Sequence, residues 1–239
     1  MSSVLRICTK ATALAPVAKQ LLAVHRPGRK IVCYQNGIEN EHALSDIIGE
    51  DDTLRVVINH AGTVPEDGVI EMTFFHKPNY IGAVSEKSND FAARLAEAMT
   101  AANVDTEYVS DIRKYEWQKT ILNAALAPVT AVTGLTMKEA MDLPETEALV
   151  KQLLREGIAV AKALGYDYGN DFFDNAVQYL RGAGHHKPSM RVDIEMNNRT
   201  EIDLINGKIV EHGDRLGIPV AANQALYASV KGLENLMRR

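Results

Sequence analysis

The chain has 239 residues, long enough to bury a substantial core as one large domain or two smaller ones. Hydrophobic residues make up 46% and charged residues 24%, and the formal net charge is -5, which gives no electrostatic reason to expect nucleic acid or an anionic membrane as a partner. Cys8 and Cys33 each stand in a short apolar run and are expected to be small buried side chains in a reducing cytoplasm, not halves of a disulfide framework. No Cys/His cluster has zinc-ligand spacing, no run approaches the roughly 18 apolar residues of a membrane span, and Arg6, Thr9 and Lys10 interrupt what would have to be the core of a secretory signal.

In chain order, Val4 to Cys8 reads as a strand and Leu14 to Leu22 as a helix. Lys30 to Tyr34 is a β-branched run that stops at the turn signal Asn36-Gly37, and Leu54 to Ile58 is a further strand ending at His60-Ala61-Gly62. Strands separated by helical stretches argue for βαβ units in a parallel sheet. Val69, Met72 and Phe74, then Tyr80-Ile81, predict antiparallel strands around Lys77-Pro78-Asn79, followed by a helix from Asp90 to Ala102. Beyond Asp111 the pattern turns helical. Tyr115 to Val132 is apolar enough for a largely buried helix, and Pro144 precedes the stripe of Val150, Leu154 and Ala161. A last clear helix is expected to begin near Thr200, with Ile202, Ile205 and Ile209 as its stripe and Gly217 and Pro219 as its stop. The whole reads as α/β followed by all-α, with domains at 1–110 and 111–239.

Two clusters carry chemistry. Lys119 and Asn123 are four apart and share a helix face. Apolar surroundings would lower the ammonium's pKa and suit Lys119 to proton donation, while the alternative is a lysine snorkelling out of a buried helix. Ser189 follows a proline in an expected loop, where its hydroxyl suits either a substrate carboxylate or a helix cap. Gly207 inside a helix costs about 1 kcal/mol against alanine, which argues for a close neighbour. His60, His76, His185 and His186 have no carboxylate at ligand spacing and read as loop residues, so no metal site is expected.

Taken together, Thr9-Lys10-Ala11, Tyr34-Gln35-Asn36-Gly37, Glu116-Trp117-Gln118-Lys119 with Asn123, Pro188-Ser189-Met190 with Asp193, and Thr200-Glu201-Ile202-Asp203 through Asn206-Gly207 resemble the ketopantoate (2-dehydropantoate) reductases. The resemblance implies a partial Rossmann-like sheet domain of the 6-phosphogluconate-dehydrogenase type, followed by a helical domain. It also implies hydride transfer from NADP(H) to a 2-keto acid. Lys119 would be the general acid, Asn123 and Ser189 would hold the substrate, and Glu201 would lie where substrate and cofactor meet. Lys10 and Asn36 would line the nicotinamide side. Ala127 stands where the family commonly has a second asparagine, which favours a 2-keto acid related to ketopantoate over ketopantoate itself.

The sequence contains no GxGxxG; Gly182-Ala183-Gly184 comes nearest, with Lys187 in the third glycine's place. Residues 4–10 resemble a later strand of the family's sheet. Two readings follow: a shortened chain of an intact reductase, or a natural short form that serves binding, assembly or cofactor-free proton transfer through Lys119. Either way the first strand becomes an apolar sheet edge, expected to be covered by a second subunit in a homo-oligomer or by a rearranged element.

Overall fold

The computed structural model describes residues 4–237 and divides into two compact units, the boundary falling between Glu116 and Trp117. The first unit contains β1 (Val4–Ile7), α1 (Leu14–Leu22), β2 (Lys30–Cys33), α2 (Asn40–Ile48), β3 (Thr53–Val57), β4 (His60–Glu66), β5 (Val69–Phe75), β6 (Asn79–Ala83), α3 (Asn89–Ala101) and β7 (Thr106–Tyr108). Next comes α4 (Ile112–Thr133), within which the boundary lies.

Five strands form one sheet in the order β1-β2-β3-β6-β7, with β6 antiparallel to β3 and the other pairs parallel. Side chains alternate across it. Ile31 and Cys33 face Leu14 and Ala18 of α1 and Leu44 of α2, whereas Val32, Leu54, Val56 and Ile81 pack with Ala92 and Ala96 of α3. At Gly82 a Cβ would lie 2.7 Å from the Cβ of Ile112, so only glycine lets the start of α4 approach β6 this closely.

Two expectations change here. The strand Val69–Phe75 does not pair with Tyr80-Ile81. It pairs with β4 as a separate hairpin closed at Glu66↔Val69, with Gly68 at φ 83°. Asp67-Gly68 was the turn signal for it. β6 joins the main sheet because Ile81 is fully buried opposite Val56, while Asn79 Oδ1 accepts from the backbone N–H of Asn59 at 2.8 Å. The hairpin stays in solvent, with Ile70 81% exposed. Cys8 is also exposed, because β1 ends one residue before it. Cys33 is buried as expected, and burial pushes its thiol up to about 12.

The second unit is helical. It holds α4 from Trp117 onward, α5 (Met137–Asp142), α6 (Pro144–Ala163), α7 (Phe172–Arg181), α8 (Ser189–Glu195), α9 (Asn206–Leu216) and α10 (Ala221–Leu236). Pro144 opens α6 and Gly217, at φ 67°, ends α9, both as the sequence suggests. The helix expected from Thr200 begins only at Asn206, after a 3-10 turn at Ile202–Leu204, and α10 follows it. The delay has a cause: the Thr200 N–H and hydroxyl both donate to Glu234 Oε1 at 2.7 Å, fixing that residue on α10 instead of in a first helical turn. Asn223 and Glu234 lie buried with Leu226 and Val230 on α10, and these polar members disguise its stripe. Among the described residues no helix is long and apolar enough to cross a membrane.

Candidate active site

On α4, Lys119 and Asn123 are half-buried between fully buried Thr120, Ile121 and Ala124. Ile121 packs against Gly157 of α6, where a Cβ would stand 3.2 Å from Ile121 Cγ1. Pro128 lies inside this helix and has no N–H to give the Ala124 carbonyl four residues earlier. The missing donor comes from Asn206, whose Nδ2 reaches Ala124 O at 3.0 Å. The same Nδ2 reaches Asn223 Oδ1 at 2.9 Å, and Asn223 Nδ2 donates to Glu156 Oε2 at 2.8 Å. Glu156 in turn accepts the Ala222 and Asn223 backbone N–H groups at 3.0 and 2.9 Å, satisfying the open end of α10. Two sequence motifs, the one carrying Asn123 and the one ending in Asn206-Gly207, are thus tied directly.

Glu201 is half-buried at the head of the 3-10 turn. Its neighbour Asp203 accepts from Tyr227 at 2.9 Å, Lys231 at 3.0 Å and Arg199 at 3.1 Å. Burial pushes the Asp203 carboxyl up, but these bonds outweigh it and hold the group below the usual range. Gly207 allows the close approach expected of it: a Cβ there would meet the Tyr227 ring at 3.1 Å. Ser189 is exposed and is the first residue of α8, whose cap position is Pro188, so it sits inside the helix start and not in a loop. His185 and His186 lie in the loop before it, whereas His60 opens β4, with its Nδ1 3.0 Å from Asn79 Oδ1. Among the described residues no group of three His, Cys, Asp or Glu is placed to hold a metal.

In the first unit, Lys10 is exposed just past β1 at the head of a 3-10 turn, its carbonyl accepting from the Ala13 N–H at 2.9 Å. Asn36 follows β2. Its carbonyl accepts from Asn40 Nδ2 at 2.8 Å, and Gly37 takes φ 98°, the left-handed backbone that suits glycine. Gln35 Nε2 donates to Ile7 O at 3.0 Å, joining the ends of β1 and β2. Gln35 Oε1 and Asn36 Oδ1 are buried and meet no donor among the described residues.

One cluster escaped the sequence reading. Arg55, in the middle of β3, is 2% exposed, and Glu41 and Glu116 are each 1% exposed. Arg55 Nε donates to Glu116 and lies 3.8 Å from Glu41 Oε2, while Nη2 donates to Gly37 O at 3.1 Å and Nη1 to Cys33 O at 3.5 Å. Burial pushes the Glu116 carboxyl well above the carboxylate range; Arg55 opposes this and Glu41 adds to it. The signal was present in Leu54-Arg55-Val56-Val57, since an arginine inside a buried strand must have partners.

The family described as ketopantoate reductase PanE/ApbA matches residues 2–86, and its C-terminal part matches residues 111–234. A 2-dehydropantoate 2-reductase of Archaeoglobus fulgidus is 29% identical over 234 residues, 96% of this chain and 76% of the relative. One from Pyrococcus horikoshii is 28% identical over 86% of this chain and 67% of its own length. The crystal structure of a PanE/ApbA family ketopantoate reductase from Ralstonia eutropha JMP134 superposes with a TM-score of 0.89 at 26% identity, covering 99% of this chain and 77% of that one. The motifs, the two-unit fold and these matches agree: the chain belongs to the ketopantoate reductase family.

Proposed function

We propose that the chain reduces a 2-keto acid to the 2-hydroxy acid with NADPH as the reductant. The reading is carried by Lys119 and Asn123, one turn apart on a half-buried face of α4, in a chain of this family. The nicotinamide end fits the residues present: Gln35 Oε1 and Asn36 Oδ1 are buried acceptors without donors, and a carboxamide N–H is the kind of group they lack. Lys10 lines the same side. The 239 residues hold no GxGxxG turn for a pyrophosphate, and the proposed cofactor-side residues are Lys10, Asn36 and Glu201.

When bound, the cofactor supplies hydride to the keto carbon. Negative charge then grows on the keto oxygen, where the Lys119 ammonium donates a proton and removes that charge. Asn123 and Ser189 hold the substrate's polar groups by hydrogen bonds, and Glu201 orients the junction of substrate and cofactor. Ala127 offers no hydrogen bond at a position one turn beyond Asn123, so the preferred substrate is a 2-keto acid that asks for none there.

Titration of the purified chain with NADPH, followed by nicotinamide fluorescence and then by turnover on a panel of 2-keto acids including ketopantoate, tests this. Saturable binding with turnover is expected, and Lys119→Ala should lower kcat by about 10²- to 10⁴-fold. No binding at millimolar cofactor would leave the family form that serves binding, assembly or proton transfer without nicotinamide. A strong preference for ketopantoate would remove the role given to Ala127.

A further inference from the structure

Building on the reading of Asn36 as a nicotinamide-side residue, we propose that Arg55 is the positioning residue for the Asn36–Gly37 turn, with Glu41 and Glu116 as its fixed counter-carboxyls. Nothing in sheet formation asks for an arginine at the centre of β3, and a guanidinium only 2% exposed is costly for stability alone. Its reach explains its place. The planar fork joins the Cys33 carbonyl at the end of β2, the Gly37 carbonyl in the turn, and carboxyls on the first turn of α2 and the second turn of α4. All these groups lie within the first unit.

The turn is therefore held from both sides. Asn40 Nδ2 grips the Asn36 carbonyl and Arg55 Nη2 grips that of Gly37. Between these two bonds stands the Asn36 side chain, whose buried Oδ1 has no donor among the described residues. A peptide fixed at both carbonyls keeps that oxygen aimed, and a shift of an ångström in such a group costs a site much of its effect. The counter-carboxyls are fitted to the same task. Glu41 has no donor on either oxygen and Glu116 none on Oε2. Arg55 lies beside both carboxyls, and its guanidinium offsets negative charge that burial would otherwise make costly.

Hydrogen exchange read by mass spectrometry on the whole chain tests the proposal without relying on turnover. Arg55→Met should speed exchange at residues 34–42 by about tenfold or more while β6 and α3 keep their protection. Arg55→Lys, which keeps the charge and loses the fork, should show the same local effect more weakly and covers the case in which the methionine variant does not fold. Unchanged exchange at 34–42, or an increase spread evenly over the unit, overturns the assignment. If the wild-type chain turns over, Arg55→Lys should also raise the cofactor KM about tenfold with the keto-acid KM unchanged, and equal rises in both count against it. A wild-type chain that binds no NADPH sinks the reductase reading, while the exchange result still decides what holds the turn.

Discussion

At the scale of single residues, a buried carboxyl that keeps its proton is a statement about stability. Burial, reinforced by Glu41, raises the Glu116 pKa in the folded protein above its ordinary value of 4.5, against the pull of Arg55. Above the ordinary carboxylate range the unfolded chain loses a proton that the folded chain retains. The stabilisation is therefore complete in acid and falls as pH rises, by up to about 1.4 kcal/mol per pH unit for one proton. Glu116→Gln mimics the protonated acid and removes the titration. Urea unfolding at pH 5 and pH 8 should show a smaller loss of stability in the variant than in the wild type; equal losses would place the proton elsewhere. Cys33 shares this environment, and its thiol, pushed up to about 12, is inert at neutral pH beside the exposed Cys8.

Among the elements, α4 shows how a local defect is repaired from a distant segment. Pro128 deprives Ala124 of its helical donor, and Asn206 supplies one from the start of α9. Asn206→Ala should cost about 1–3 kcal/mol, because the buried carbonyl is left unsatisfied. Pro128→Ala restores an N–H to the helix, so in the Asn206→Ala background it should recover part of that loss. A double-mutant cycle by urea unfolding checks this, and strict additivity would show that the two sites are not coupled. The Asn36-Gly37 turn was legible as a signal, because left-handed backbone selects glycine, whereas the Asp67-Gly68 turn was passed over. The start of α9 was not, because the Ile202, Ile205 and Ile209 periodicity runs unbroken through a segment that Glu234 pins in another conformation.

For the whole molecule, the sheet edge sets the question. β1 pairs with β2 on one side, and among the described residues no strand pairs with its other side. Val4 and Leu5 are half-buried there, and an open edge of this kind favours pairing with another chain. We propose that a second copy of this chain covers it. Sedimentation equilibrium should give a mass above the monomer's at micromolar concentration, and a monodisperse monomer would refute the expectation.

Periodicity and turn chemistry, which are local, were enough to read the strands β1, β2 and β3, the helices α1, α3, α4 and α6, and the sequence of sheet followed by helices. The order of five short motifs was enough to read the family. Pairing and burial were not readable, because they depend on which distant groups meet. Phe74 and Ile81 look alike in sequence, yet one stays on a solvent hairpin and the other fills the core opposite Val56. The spacing of Lys119 and Asn123 put them on one helix face, but their proposed roles rest on the family resemblance. Arg55, Glu41 and Glu116 were not readable as a group, since nothing in chain order brings residues 41, 55 and 116 together. Only the folded sheet does that, by closing β2, β3, the first turn of α2 and the second turn of α4 around one guanidinium.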